Sequence, residues 1–324
     1  LPQRRTPAGE KTQLFEKRAL SGSKLSGSLA YNDFHDFFYF VTVTDMLVDL
    51  HMHSTVSDGR LTPAEVMTLA HENGVEMVSL TDHDTMDGVH QAQRTAEDFG
   101  MRFIPGVEVS TLWADSVIHV VGLGMDPESA GVERFFRDVC TKRDYRGRVI
   151  GEKLREVAGI EGAYEGALAL AENKDNLSRT HFARWLYQQG YVDSYQAAFD
   201  KYLSSNKSCC VRIEWPSLAE VVELIHSAGG LAVVAHPGRY HFKELWMADA
   251  LMQDFKKLGG DAIEVVSGSQ SQRANEYYSN VCRQMGFLAS TGSDFHSFDS
   301  DRPQPGMQGL IPGDLVPVWT VLGR

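Results

Sequence analysis

Val48-Asp49-Leu50-His51-Met52-His53-Ser54-Thr55-Val56-Ser57-Asp58-Gly59 is the stretch on which the fold turns. It reads as a short apolar strand that runs straight into His-x-His, with a carboxylate five residues further on at Asp58. Residues two apart on a strand share a face, so His51 and His53 can point at one metal ion.

Working outward, a strand-helix rhythm begins at residue 46. Leu47 to Leu50 is a predicted strand. Thr62-Pro63-Ala64-Glu65 is a capping box with Pro at the first helical position, and the helix runs to Gly74. Val75 to Leu80 is the next strand, Gly88 to Phe99 the next helix, and Arg102 to Ile104 and Val117 to Val121 are further strands. After a second capping box, Ser217-Leu218-Ala219-Glu220, come the strands Leu231 to Ala235, Ala262 to Val266 and Phe287 to Ser290, with helices around them. Such alternation argues for α/β architecture with a parallel sheet closed as a barrel. Between residues 127 and 216 the rhythm breaks and only helices are predicted: Val132 to Val157, Ala163 to Ala171, Thr180 to Gln189 and Ser194 to Tyr202. The expected organisation is therefore a barrel from 46–126 and 217–324 with an inserted helical subdomain, 127–216, and a basic, mobile tail over residues 1–45. Most of Lys142, Arg143, Arg146, Arg148, Lys153 and Arg155 within the insertion read as a solvated helix face.

The candidate metal ligands are His51, His53, Asp58, His83, Glu108, His119, His236, Asp294 and His296. Each follows a predicted strand or lies near the end of one, and in a parallel barrel those ends form a single rim that carries the active site. Any one of these histidines alone is better read as a packed core imidazole. Six of the chain's twelve, each accompanied by Asp or Glu, are hard to explain by packing. Nine donors exceed the needs of one ion and suit two or three ions of the Mn, Fe or Zn type. The other histidines carry less: His71, His90 and His226 fall on helices, His35 in the tail and His241 in a loop.

Composition sets bounds on the partners. The chain has 324 residues, 43% hydrophobic and 23% charged, enough for a large buried core, and no apolar run approaches the length of a membrane span. Its net charge of −12 excludes a surface that coats nucleic acid. A phosphate-bearing substrate must be drawn to a local positive spot. Three divalent ions less the charges of Asp58, Glu108 and Asp294 leave such a site at about +3. Ions of this kind lower the pKa of bound water and steady phosphate oxygens, so the implied chemistry is phosphoester hydrolysis. Asp58, His83 and His296 are the candidate catalytic residues, although spacing does not separate moving a proton from ligating an ion. The four cysteines show no Cys-x-x-Cys spacing, which predicts reduced thiols in a cytoplasmic protein with no membrane association and no evident stable protein partner.

His51-Met52-His53-Ser54, Ser57-Asp58-Gly59, Thr81-Asp82-His83-Asp84, Pro105-Gly106-Val107-Glu108, His119, Ala235-His236-Pro237-Gly238 and Gly292-Ser293-Asp294-Phe295-His296 together resemble the motif set of the PHP (polymerase and histidinol phosphatase) superfamily. The similarity runs over nearly everything from Met46 onward. Within it the chain most resembles the 3′,5′-nucleoside bisphosphate phosphatase group, which includes the RNase AM type 5′-to-3′ exoribonuclease. The helical insertion and Asn176-Leu177-Ser178-Arg179-Thr180-His181-Phe182-Ala183 favour that group over histidinol phosphatase. The resemblance implies a distorted (β/α)7 TIM-like barrel and a trinuclear site usually holding Mn²⁺. It implies a substrate that is a 3′,5′-bisphosphonucleotide or a short RNA attacked from the 5′ end, with Ser178 and Arg179 holding the second phosphate. His181, Arg239 and Lys207 are further candidates for substrate binding. Around Lys207 the chain departs from the family, because Ser204, Asn206 and Ser208 replace a glycine-rich turn and its easy access to positive φ. Two other readings stay open: a phosphatase of a small sugar or amino-alcohol phosphate, and a non-catalytic metal- or nucleotide-binding module.

Overall fold

The computed structural model describes residues 46–244, 246–299 and 301–322, so the basic segment over 1–45 lies outside the described residues. Three short parallel strands, β1 (Val48–Asp49), β2 (Met77–Val78) and β3 (Arg102–Phe103), alternate with α1 (Pro63–Glu72) and α2 (Val89–Asp98). Thr62 caps α1 through the expected box: its backbone N–H donates to Glu65 Oε2 at 2.8 Å, and Glu65 N–H returns to Thr62 Oγ1 at 3.3 Å. Val66, Met67 and Ala70 of α1 then pack against Met52, Val78 and Leu80, so the side of β1 away from the histidines is a closed apolar layer.

The second sheet has five strands: β4 (Gly106–Trp113), β5 (Ser116–Leu123), β6 (Leu231–Val234), β7 (Ala262–Ser267) and β8 (Leu288–Gly292). Here the structure corrects the sequence reading. β4, which has no predicted counterpart, pairs antiparallel with β5 over its whole length, and β5 pairs antiparallel with β6. The cause is the two-residue turn Ala114-Asp115, held at φ 45° and 62°, whose twist suits a hairpin rather than a crossover. Glu108 and His119 consequently sit inside strands rather than at their ends. The closed parallel barrel is not formed either. The two sheets meet at two seams through isolated bridges, Met52 with Phe295 and His83 with Glu108. The observed class is mixed α/β. Burial of all of β7 follows from helices α7 (Leu218–Ser227), α8 (Trp246–Lys257) and α9 (Gln272–Met285), which supply much of the core around the five-stranded sheet.

The predicted helices between the two halves are present as α3 (Ala130–Ala158), α4 (Ala163–Leu170), α5 (Arg179–Gln188) and α6 (Tyr195–Ala198), the last continuing as a π-helical turn, Phe199–Leu203. They bury an apolar cluster of their own that includes Ile150, Leu154, Phe182, Leu186 and Leu203. No helix among the described residues is long and apolar enough to cross a membrane.

The seam between β8 and β1 is tight. Leu50 N–H donates to Thr291 O at 3.1 Å, Asp294 N–H to His51 O at 2.8 Å and His53 N–H to Phe295 O at 2.9 Å. Gly292 lies against it, and a Cβ there would stand 2.2 Å from His51 Cβ and 2.8 Å from Glu264 Oε1. Overpacking of this kind costs about 1–3 kcal/mol. Gly292→Ala is therefore expected to lower the urea midpoint by that amount of stability and to weaken metal uptake, both read by denaturation with and without added Mn²⁺. An unchanged midpoint would show that the seam relaxes freely.

Candidate metal centre

Both seams carry the predicted ligands, and the structure brings all nine together. Three groups of donor atoms result: His53, Asp58, His83 and His296; His51, Glu108, His236 and Asp294; and His83, Glu108 and His119. Within each group the donor atoms lie within 4.8 Å of one another. Glu108 is the hub. Its Oε2 stands 3.3 Å from His51 Nε2, 3.2 Å from His53 Nε2 and 3.0 Å from His83 Nδ1. Its Oε1 stands 2.8 Å from His119 Nδ1 and 2.7 Å from His236 Nε2. Asp58 Oδ1 faces His296 Nε2 at 3.3 Å, and Asp294 Oδ1 faces His53 Nε2 at 3.4 Å.

This donor set fits cations. Asp58 Oδ1, Glu108 Oε2 and Asp294 Oδ1 are buried and accept no hydrogen bond, a costly condition for a carboxylate oxygen. His51 Nε2 and His53 Nε2 point at each other across 3.1 Å. Imidazole nitrogens and carboxylate oxygens converging in this way match the preferences of Mn, Fe and Zn. Burial disfavours the charged forms of Glu108, Asp58 and Asp294, yet the surrounding imidazoles, with Arg302 and Arg239 at Asp294, hold all three carboxyls well below their usual range. Burial pushes His236 down to about 3, and burial together with Arg302 and His53 does the same to His296. Their rings are thus neutral, the form that ligates.

Backbone strain accompanies the site. Asp84, His236 and Asp294 hold positive φ values of 52°, 29° and 54°, although none is glycine. Each such residue costs of order 1–3 kcal/mol, sustained where surrounding structure fixes it. A ring of buried partners does so here. Glu264, on β7, sits 3.2 Å from His51 Nδ1 and accepts the His236 N–H. Asp82 accepts from Ser54 N–H at 2.7 Å and from the Ser54 and Ser57 hydroxyls at 2.6 Å. Asp49 accepts from the N–H groups of His51, Ser293 and Gly306.

The predicted substrate residues divide. Arg239 reaches the centre and donates to Asp294 Oδ2 at 2.9 Å. Ser178 caps α5, with its N–H and hydroxyl each 3.1 Å from His181 Nδ1. Burial drives His181 down to about 4. Arg179 donates to Leu203 O at 3.3 Å. Lys207 donates its backbone N–H to Ser204 O within a turn, and its side chain makes no hydrogen bond or ion pair among the described residues. Thr180 links the helices to the centre, donating to Asp58 Oδ2 at 2.8 Å.

Arg143 and Arg146 are the exceptions to the solvated face of α3, since both are buried. Trp215, arriving from the far end of the helical segment, lays its ring 5.3 Å from the Arg143 guanidinium carbon and 5.1 Å from that of Arg146. Arg143 Nε donates to Asp84 Oδ2 at 2.9 Å. Arg146 makes no hydrogen bond and no ion pair among the described residues. Burial, with Arg143 and Arg179 nearby, pushes its guanidinium well below the ordinary value. Besides these two, sequence reasoning missed Glu264, Arg302 and Thr180. Only the Arg-x-x-Arg spacing on a helix offered a signal.

This fold and this donor set define a metal-centre protein of mixed α/β class, and over residues 49–266 the chain matches the PHP domain model, so it belongs to the PHP domain family. It is 39% identical over 275 residues to a 3′,5′-nucleoside bisphosphate phosphatase of Chromobacterium violaceum, covering 85% of this chain and 96% of that one. It is 38% identical over 271 residues to a 5′-3′ exoribonuclease of Haemophilus influenzae, covering 84% and 97%. The solved structure of a Chromobacterium violaceum amidohydrolase with bound sulfate and no metal superposes with a TM-score of 0.80 at 39% identity, over 85% of this chain and 95% of that one.

Two substitutions test the assignment. His83→Ala is expected to abolish turnover while the circular dichroism spectrum stays native, because His83 belongs to two of the donor groups. Glu264→Gln is expected to weaken metal affinity by about 10–100-fold, the usual consequence of losing a carboxylate behind a ligating imidazole, measured by titration calorimetry with Mn²⁺. Full activity in the first variant would remove His83 from the ligand set.

Proposed function

We propose that the protein is a Mn²⁺-dependent phosphoesterase whose substrate carries a second phosphate: a nucleoside 3′,5′-bisphosphate, cleaved to the nucleoside 5′-phosphate and inorganic phosphate, or the 5′ end of a short RNA. The observation that carries this reading is the pairing of two anion sites. One is the nine-donor centre. The other is the arginine group Arg143, Arg146 and Arg179, whose one carboxylate partner among the described residues is Asp84. Buried guanidiniums in excess of their carboxylates call for an anion, and a planar fork suits phosphate. The names of the relatives and the sulfate in the solved homologue support the same class.

His51, His53, Asp58, His83, Glu108, His119, His236, Asp294 and His296 would hold two or three ions. Such ions supply Lewis acidity and lower the pKa of water. In this reading the chain's own groups do the rest. Arg239 turns its free edge to the scissile phosphate. Arg146 and Arg179 bind the second phosphate and fix the distance between the two. Where Asp58 or His296, 3.3 Å apart, is not taken up by an ion, it would accept a proton from the attacking water and return it to the leaving oxygen. The division of labour proposed is a metal-holding part from 46–126 and 217–324, with the segment 127–216 supplying the second anion site; the latter's separate apolar core supports it. Four unpaired thiols suit the reducing cytoplasm.

Phosphate release is expected from adenosine 3′,5′-bisphosphate and not from histidinol phosphate. Release from histidinol phosphate alone would refute the substrate class. Arg146→Met, which keeps the volume and removes the charge, is expected to reduce kcat/KM by about 100-fold on the bisphosphate, in the range of charge-assisted hydrogen bonds. On an adenosine 3′-monophosphate substrate it should change little. Equal losses on both would remove the clamp role.

A further inference from the structure

The helical segment carries more than arginines: α5 also grips the loop that bears Asp58. Capping of α5 is met within the helix, since the N–H and hydroxyl of Ser178 both engage His181 Nδ1. The Thr180 hydroxyl, in the same first turn, is therefore free for another use and donates to Asp58 Oδ2 at 2.8 Å. One turn further along, Arg184 donates to the Asp58 backbone carbonyl at 3.2 Å. From within the metal-holding part, Gly59 N–H donates to Ser54 O at 2.8 Å and the Ser57 hydroxyl to Asp82 Oδ1 at 2.6 Å. Those bonds fix the backbone of the loop. The direction of the Asp58 carboxyl is set from α5.

The two oxygens of that carboxyl are consequently unequal. Oδ2 is occupied by Thr180. Oδ1 is buried, accepts no hydrogen bond, and lies 3.3 Å from His296 Nε2 and 3.9 Å from His83 Nε2. A hydrogen bond behind a ligating carboxylate orients it and tunes its hold on the ion. We infer that Thr180 is a positioning residue of the metal centre: it reserves Oδ2, leaving Oδ1 as the atom that Asp58 offers to the ion of the group His53, Asp58, His83 and His296. The group His51, Glu108, His236 and Asp294 takes no hydrogen bond from α5 among the described residues, its partners being Asp49, Glu264, Arg239 and one another. The helical segment thus finishes the site of one ion and not of the other. The inference rests on the ion-holding reading of Asp58 proposed above and adds to it the residue that aims this ligand.

The test is calorimetric titration of the metal-free full chain with Mn²⁺, with circular dichroism to check the fold. Thr180→Val keeps the shape and removes the donor. It is expected to weaken one ion by about 10–100-fold, the usual consequence of losing a group behind a ligand, and to leave the remaining binding unmoved. Thr180→Ala should do the same, which separates loss of the hydroxyl from strain. Thr180→Ser keeps the hydroxyl and should bind as the wild type does. Wild-type affinity for every ion in the valine and alanine variants, equal weakening of all ions, or a serine variant as weak as the valine one would overturn the positioning role. Asp58→Asn tells the two readings apart. If it binds Mn²⁺ as the wild type does, Asp58 is no ligand and the inference falls with the reading beneath it. If it loses an ion that Thr180→Val keeps at full affinity, the inference alone falls.

Discussion

One carboxylate, Glu108, faces five imidazoles at 2.7–3.3 Å, and much of the molecule is arranged to make that possible. Those rings come from the β1 exit, the β2 exit, β5 and the β6 exit. A hairpin must place Glu108 in mid-strand, and two seams must hold the flanking loops in register. A single carboxylate cannot satisfy five rings, and Asp58 and Asp294 each keep a buried oxygen without a hydrogen bond. Shared cations would resolve that mismatch, because each can take several ring nitrogens and oxygens at once.

The same demand explains why the sheet is not one continuous barrel. To deliver side chains inward, the backbone leaves ladder geometry at Asp84, His236 and Asp294, where φ turns positive. Each departure interrupts strand pairing. What remains at the seams are single bridges and a few direct hydrogen bonds. Stability lost there is offset by the apolar layers outside, among them Met52, Met67 and Leu80 on one side and Val120, Ile225 and Ile263 on another.

Much of the centre was legible in the sequence because its candidate ligands are announced locally. His51-x-His53 alternates on a strand, and Asp294-x-His296 follows an apolar run. The hairpin was not legible: Ala114-Asp115 lacks the Asn-Gly or Gly-x signature that positive φ usually requires, so β4 went unseen and Glu108 was placed at a strand end. Glu264 sits in the apolar run Ala262–Ser267 with nothing to mark it. Arg143 and Arg146 looked like solvated charges because their burial depends on Trp215, a contact about seventy positions away in the chain. Lys207 was proposed by a resemblance alone, and the turn around it is closed by its backbone N–H on Ser204 O.

The most direct measurement is elemental analysis of the purified protein after reconstitution with Mn²⁺, compared with Glu108→Gln treated identically. More than one bound ion per chain is expected in the wild type and a loss of at least one in the variant, since Glu108 belongs to two of the three donor groups. Equal metal content in both proteins, or none in the wild type, would contradict it.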